Sequence, residues 1–402
     1  STTIARMALR QCAREGEPCY QAFLLNLADQ NRIALAMGSL EVIAIEDDRV
    51  RRHAHDYAHV VGMRGYDPEL PVGETFSSCT VSFQSGCYHG VIQAYLTGID
   101  SIRTDDLANF CDGVQSAKES LWIRFQCAHG LGHGLVMRFG HDLPKGLAGC
   151  DLLASDWDRQ SCYGGAFMEN VIATDAHEMP VRTASGGSDE AGGHGDHGGD
   201  GHGAHGGHGT TVTLPKSDWE RVKASDMHYP CSVLNDHYKR ACYGMQTSIM
   251  LELTGYDFRR TARLCDGAPP AYRTTCYQSL GTNTAGNSVR NTRRSIETCA
   301  LGTEKYQPWC FFGVVKNFID VTADPQDGLD FCEEVPAGRN RLMCYRAVGE
   351  ELGVLFQDPA QRGPWCDKVA DGPHRQACRW GANLTGDAPE GMPRAELLSD
   401  GA

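Results

Sequence analysis

Apolar residues in this chain recur at helical intervals. Segments such as 242–253 and 310–319 each carry one apolar stripe of the kind an amphipathic helix buries. Behind such segments stand start signals for a second helix. Asp324 precedes Pro325 and, 34 residues later, Asp358 precedes Pro359, a side-chain acceptor at the N-cap with proline at the first helical position. The pattern predicts helix pairs, a long helix A followed by a helix B.

The cysteines set the period of these pairs. Cys242, Cys276, Cys310, Cys344 and Cys378 are each 34 residues apart, and partners Cys231, Cys265, Cys299, Cys332 and Cys366 precede them closely. The series extends back through Cys162, Cys127, Cys87 and Cys19, with partners Cys150, Cys111, Cys79 and Cys12. One step is doubled, and its empty slot falls on His53, with no cysteine between Cys19 and Cys79. Loss of both members together indicates that the two bond to each other, so the expected bridges are Cys12–Cys19, Cys79–Cys87, Cys111–Cys127, Cys150–Cys162, Cys231–Cys242, Cys265–Cys276, Cys299–Cys310, Cys332–Cys344 and Cys366–Cys378. Each ties the end of one helix B to the next helix A, a closure worth roughly 3 kcal/mol. Glycine three residues after the anchor, as at Gly90, Gly130, Gly165, Gly313 and Gly381, lets neighbouring helices approach closely. The predicted fold is all-α, a disulfide-stapled α-solenoid of about ten 34-residue helical hairpins.

The 34-residue helix pair resembles the tetratricopeptide and Sel1-like repeat class, and the bridged hairpins are similar in design to the cysteine-rich Sel1-like proteins secreted by some bacteria. The Trp-Leu-Gly-Tyr pattern of tetratricopeptides is missing and the cysteine spacing is wider than in Sel1-like repeats. The resemblance therefore implies architecture and no activity.

Eighteen paired cysteines imply an oxidising compartment: periplasm, cell surface or medium. Ser1 opens without a basic or apolar leader, so any signal peptide is expected to have been removed. The longest apolar stretch, 34–45, contains Glu41 and is too short to span a bilayer. A net charge of −14 argues against nucleic acid and anionic membranes as partners. Composition breaks once, dividing the chain into helical repeats over 1–183, a flexible His/Gly/Asp-rich insert over 184–216 and further repeats of the same solenoid over 217–402. The insert carries His194, His197, His202, His205 and His208, a weak collector of late transition metals. Ser217 to Glu220 reads as a capping box where helix resumes.

Aligned on their anchors, three consecutive repeats place His55, His89 and His129 two residues after the anchor slot. Six residues after it stand His59 and His133, with Gln93 in the middle repeat. Residues four apart share a helix face, so His55 with His59 and His129 with His133 form two chelating pairs, with His89 between them. Other repeats hold Gly164 and Met168, Gln278 and Thr282, or Phe312 and Lys316 in these slots. His141 extends the face, and Glu169 stands as a ligand or as an acceptor that orients an imidazole. All-imidazole ligation suits Cu, Zn, Fe or Ni over Mg or Ca. In a flat array the outer pairs would be about 18 Å apart and form separate sites; strong curvature would merge them. Haem between two histidines is the less favoured cofactor, because no Cys-x-x-Cys-His motif is present.

No nucleophile elbow, phosphate loop, dinucleotide fingerprint or His-Glu-x-x-His motif occurs, and Asp56 stands after His55 where a zinc peptidase needs glutamate. Two readings remain, neither of them specifying catalysis. One is an extracytoplasmic metalloprotein with a multi-histidine centre for redox chemistry or metal delivery. The other is a docking solenoid that meets a protein partner along its surface.

Overall fold

The computed structural model describes residues 1–80, 82–83, 85–99, 107–114, 117–118, 120–172, 217–288 and 290–395. The insert over 184–216, with His194, His197, His202, His205 and His208, lies outside the described residues. Every regular element among the described residues is helical. The chain opens with α1 (Thr2–Cys12), α2 (Glu17–Asp29), α3 (Ile33–Glu46), the short α4 (Asp48–Arg52), α5 (Ala54–Gly65), α6 (Val72–Ser77) and α7 (Gly86–Gly98). A 3-10 turn (Phe110–Gly113) precedes α8 (Leu121–Arg138), α9 (Leu143–Cys150) and α10 (Asp156–Ile172). Beyond the insert come α11 (Asp236–Thr254), α12 (Phe258–Asp266), α13 (Pro270–Asn287), α14 (Thr292–Cys299), α15 (Gln307–Thr322), α16 (Pro325–Glu334), α17 (Arg339–Leu355), α18 (Pro359–Asp367) and α19 (Gly372–Gly381).

Local chemistry starts the short helices. Asp142, Asp257, Asn291, Asp324 and Asp358 each accept a hydrogen bond from a first-turn backbone N–H of α9, α12, α14, α16 and α18. Disulfides end them: Cys150–Cys162, Cys265–Cys276, Cys299–Cys310, Cys332–Cys344 and Cys366–Cys378 pin each short helix to the long helix that follows. Cys12–Cys19, Cys79–Cys87, Cys111–Cys127 and Cys231–Cys242 do the same from α1 or from the turns before α7, α8 and α11. No cysteine is free, which places the folded chain in an oxidising, extracytoplasmic compartment. Among the described residues no helix is long and apolar enough to cross a membrane.

Each long helix packs on the next, from α5 to α7, α8, α10, α11, α13, α15, α17 and α19. The row also bends back until α8 touches α17, and its inner faces enclose a cavity of about 730 Å³.

Glycines bring these helices together in twos. A Cβ on Gly90 would overlap the His59 carbonyl oxygen and one on Gly62 would overlap that of Cys87, so α5 and α7 meet backbone to backbone in both directions. Gly132 with Gly165 joins α8 to α10 in the same way, Gly281 with Gly313 joins α13 to α15, and Gly349 with Gly381 joins α17 to α19. Gly130 differs, since a Cβ there would meet the Ile92 side chain at 3.2 Å.

These contacts correct the expected register. In three pairs the carbonyl facing the later glycine lies two residues after the anchor cysteine, at His129, Gln278 and Arg346. In α5 it belongs to His59, so the position equivalent to the anchor is Tyr57 and not His53. His59 is then the counterpart of His89 and His129, and His55 stands one helical turn before it.

A second correction concerns Ser217 to Glu220, which are not helical. Ser217 Oγ does accept from the Trp219 N–H at 3.0 Å, but only as a turn. Tertiary contacts prevail here: the Trp219 ring stacks on Tyr229 and its Nε1–H donates to Asn170 Oδ1 at 3.2 Å, so the segment runs over the end of α10.

Candidate metal centre

Three helices deliver five imidazoles to one place. His55 and His59 come from α5, His89 from α7, and His129 with His133 from α8. Ring centroids are 4.7 Å apart for His55 and His59, 5.3 Å for His59 and His89, 4.9 Å for His89 and His129, and 5.1 Å for His129 and His133. The flat array that would separate α5 from α8 by about 18 Å does not occur, because His59 and His133 approach to 5.3 Å. Close approach at Gly62 and Gly90 draws α5 onto α7, Gly130 seats α8 against the other side of α7, and side chains from both outer helices meet over the middle one.

The surroundings fix which nitrogen of each ring carries its proton. His55 Nδ1 lies 2.8 Å from the Phe83 carbonyl oxygen, which can only accept, so Nδ1 holds the hydrogen. Glu169 Oε2 accepts from His133 Nδ1 at 2.9 Å and from Gln93 Nε2 at 3.0 Å. Gln93 is thereby turned so that its Oε1 accepts from His59 Nδ1 at 3.0 Å. His89 uses Nε2 to reach Gln126 Oε1 at 2.9 Å. His129 hydrogen-bonds the Ser161 backbone and leaves Nδ1 over. His89, His129 and His133 thus each commit one nitrogen to a neighbour and keep a lone pair on the other. His89 Nδ1, His129 Nδ1 and His133 Nε2 are buried and form no hydrogen bond to the described residues.

Burial keeps His89 and His129 neutral. His59, His89, His129 and His133 are all buried, and desolvation together with the neighbouring imidazoles holds His89 and His129 well below the usual histidine pKa. Neutral imidazoles with lone pairs turned to one another are the donor set that a late transition ion takes.

Two overlapping triads have this geometry, His55 with His59 and His89, and His89 with His129 and His133. Within each, one ligand atom per residue lies within 4.8 Å of the others. An ion at the centre of such a triangle would sit at most about 2.8 Å from each nitrogen, and a closure of roughly 0.7 Å reaches the ordinary metal–imidazole length.

Among the other expected residues, Glu169 is fully buried and holds His133 and Gln93. His141 falls outside α8, at φ 63°, with Nδ1 3.7 Å from Glu169 Oε1, and belongs to neither triad. Sequence reasoning missed the roles of Gln93 and Gln126 as acceptors. Gln93 occupied an aligned slot, whereas Gln126, next to an anchor cysteine, carried no signal.

Comparison of the chain with protein-family models, curated proteins and solved structures found no match.

Proposed function

We propose that this is an extracytoplasmic metal-binding protein of the helical-repeat, solenoid type, periplasmic, cell-surface or secreted. Its five-histidine centre holds Cu, Zn or Fe for redox chemistry or for metal acquisition and delivery. One observation carries the reading: five imidazoles lie in two triads that share His89, and His89, His129 and His133 each commit one nitrogen to a protein acceptor while the other has no partner among the described residues. Helix packing alone has no use for three buried imidazoles that each keep an unpartnered nitrogen. With one ion, His89 completes whichever triad is filled.

The test is the elemental content of protein matured in an oxidising compartment and purified without added metal. At least one Cu, Zn or Fe ion per chain should survive dialysis, and a variant lacking residues 184–214 should keep it. No ion, together with no tight uptake at neutral pH, overturns the proposal.

A second reading, a docking subunit that takes a protein partner, is favoured by the inner faces of successive long helices, which form the concave kind of surface that helical arrays use for recognition. In that case the imidazoles serve structure alone.

A further inference from the structure

The cavity of about 730 Å³ has the metal centre in its wall. His89 and His129 line it, and the +2 and +6 slots of later helices continue the lining as Gly164, Met168, Gln278, Phe312 and others. Its size falls in the range of pockets for small organic molecules, about 300–1,000 Å³.

The polar groups of the wall identify the occupant. Lys316 Nζ is paired with Glu351 Oε1 at 2.8 Å, and Arg346 with Glu350 Oε1 at 2.8 Å, so these charges are already answered. Arg240, whose side chain is exposed, is not: it lines the cavity and makes no ion pair or hydrogen bond to the described residues. Trp122 lines the same cavity, but its Nε1–H is sealed from solvent, so it offers the cavity ring surface only. A ligand group that faces this guanidinium is best an anion.

The apolar part of the wall is aromatic. Trp122 stacks on Phe125 with centroids 6.3 Å apart, and Phe125 lies 5.4 Å from His129, a run of rings that ends at the imidazole cluster. Tyr272, Trp309 and Phe312 also line the cavity. Such walls favour a planar ring over an aliphatic chain.

We propose that this cavity binds a small aromatic carboxylate, its acid taken by Arg240 and its ring stacked on the aromatic wall, close enough to His89 and His129 to change the coordination of the bound ion. This rests on the metal reading above, and the experiment separates the two.

The probe is 4-hydroxybenzoate, with 4-hydroxybenzyl alcohol as the uncharged control, titrated calorimetrically into metal-free and Cu(II)-loaded protein. The expected result is saturable one-to-one binding of the acid to both forms, at least tenfold weaker binding of the alcohol, and a shift of the visible copper band when the acid binds. Arg240→Glu and Arg240→Ala, which alter an exposed side chain, should each weaken the acid at least tenfold without moving the thermal midpoint or the copper content. Absence of saturable binding, or binding indifferent to both Arg240 variants, overturns the proposal while leaving the metal reading intact. An unmoved copper band refutes the link to the centre. Failure to load copper refutes the metal reading, and the metal-free titration still decides the cavity. Binding of peptides in place of the acid favours the docking reading.

Discussion

The helices before and after the insert share one construction and carry opposite chemistry. The α8–α10 pair and the α13–α15 pair meet through the same reciprocal glycine contacts. In the later helices several inner polar groups answer one another. Thr247 Oγ1 and Ser279 Oγ are 2.6 Å apart and Asn283 Nδ2 donates to Thr247 at 3.0 Å, while Lys316 pairs with Glu351, and burial raises the Asp320 carboxyl beside them. In the earlier helices the outward half of each imidazole is answered in the same manner, but His89, His129 and His133 each keep an inward nitrogen with no partner among the described residues. The backbone frame is therefore indifferent to what its inner slots hold. A closed network marks a slot used for packing, and a half-closed one marks a slot awaiting something from outside.

The largest effect should fall on both regions alike. Gly165→Val and Gly313→Val each force a side chain into a carbonyl of the neighbouring helix, and each should cost upwards of about 3 kcal/mol or prevent folding. Equal losses in thermal or denaturant unfolding would show that the frame is shared, whereas a mild effect at one position would break the comparison there.

Next comes His89→Ala, which removes the residue common to both triads. Metal content after dialysis should fall to near zero with the fold retained by circular dichroism, while His228→Ala, His237→Ala and His374→Ala leave it unchanged. Metal loss in those controls would mean that the centre lies elsewhere.

Glu169→Gln should act through His133 and Gln93 rather than by contact with the ion. About a 10- to 100-fold weaker metal affinity is expected from competitive chelator titration, and an unchanged affinity would assign Glu169 to packing alone.

The smallest effect is graded with pH. His89 and His129 titrate below the ordinary histidine value in the folded chain, so above about pH 6.5 they are neutral folded or unfolded and stability is flat. Below it the unfolded chain takes up protons that the folded chain refuses. Stability of the metal-free protein should then fall by up to about 1.4 kcal/mol per group for each pH unit until the folded values are reached. Metal competes with the same protons and should be released over the same range. A metal-free protein whose midpoint is constant from pH 7 to pH 5 would contradict the burial of these two rings.

Much of this frame could be read from residue order because it is written in strong local signals. The close cysteine pairs of the sequence are the bonded pairs of the structure, since a loop of 7 to 16 residues between helix end and helix start leaves little choice of partner. Asp324 and Asp358 start their helices because an acceptor followed by proline has few other uses. The five histidines were visible as a set, but their placement was not. Counting by 34 put the empty anchor on His53, while the helix is seated by glycine contacts that make Tyr57 the equivalent, one turn further on. Convergence of α5 with α8 depends on how three helices nest, a property of packing that no spacing records. Ser217 to Glu220 fitted a capping box and was overruled by the contacts of Trp219 with Asn170 and Tyr229. Arg240 and Trp122 lie more than a hundred residues apart and line one cavity only because the row of helices curves.

The reciprocal glycines also bear on how the molecule opens. Backbone meets backbone within α5–α7, α8–α10, α13–α15 and α17–α19, whereas α7 and α8 meet through side chains. Amide protons should accordingly exchange with solvent in blocks of two long helices where glycines pair them, with the seams between blocks, α7–α8 and α15–α17 among them, yielding before the pairs themselves. The α7–α8 seam is where His89 faces His129. An ion held there would act as a clasp across a joint that no reciprocal glycine contact closes.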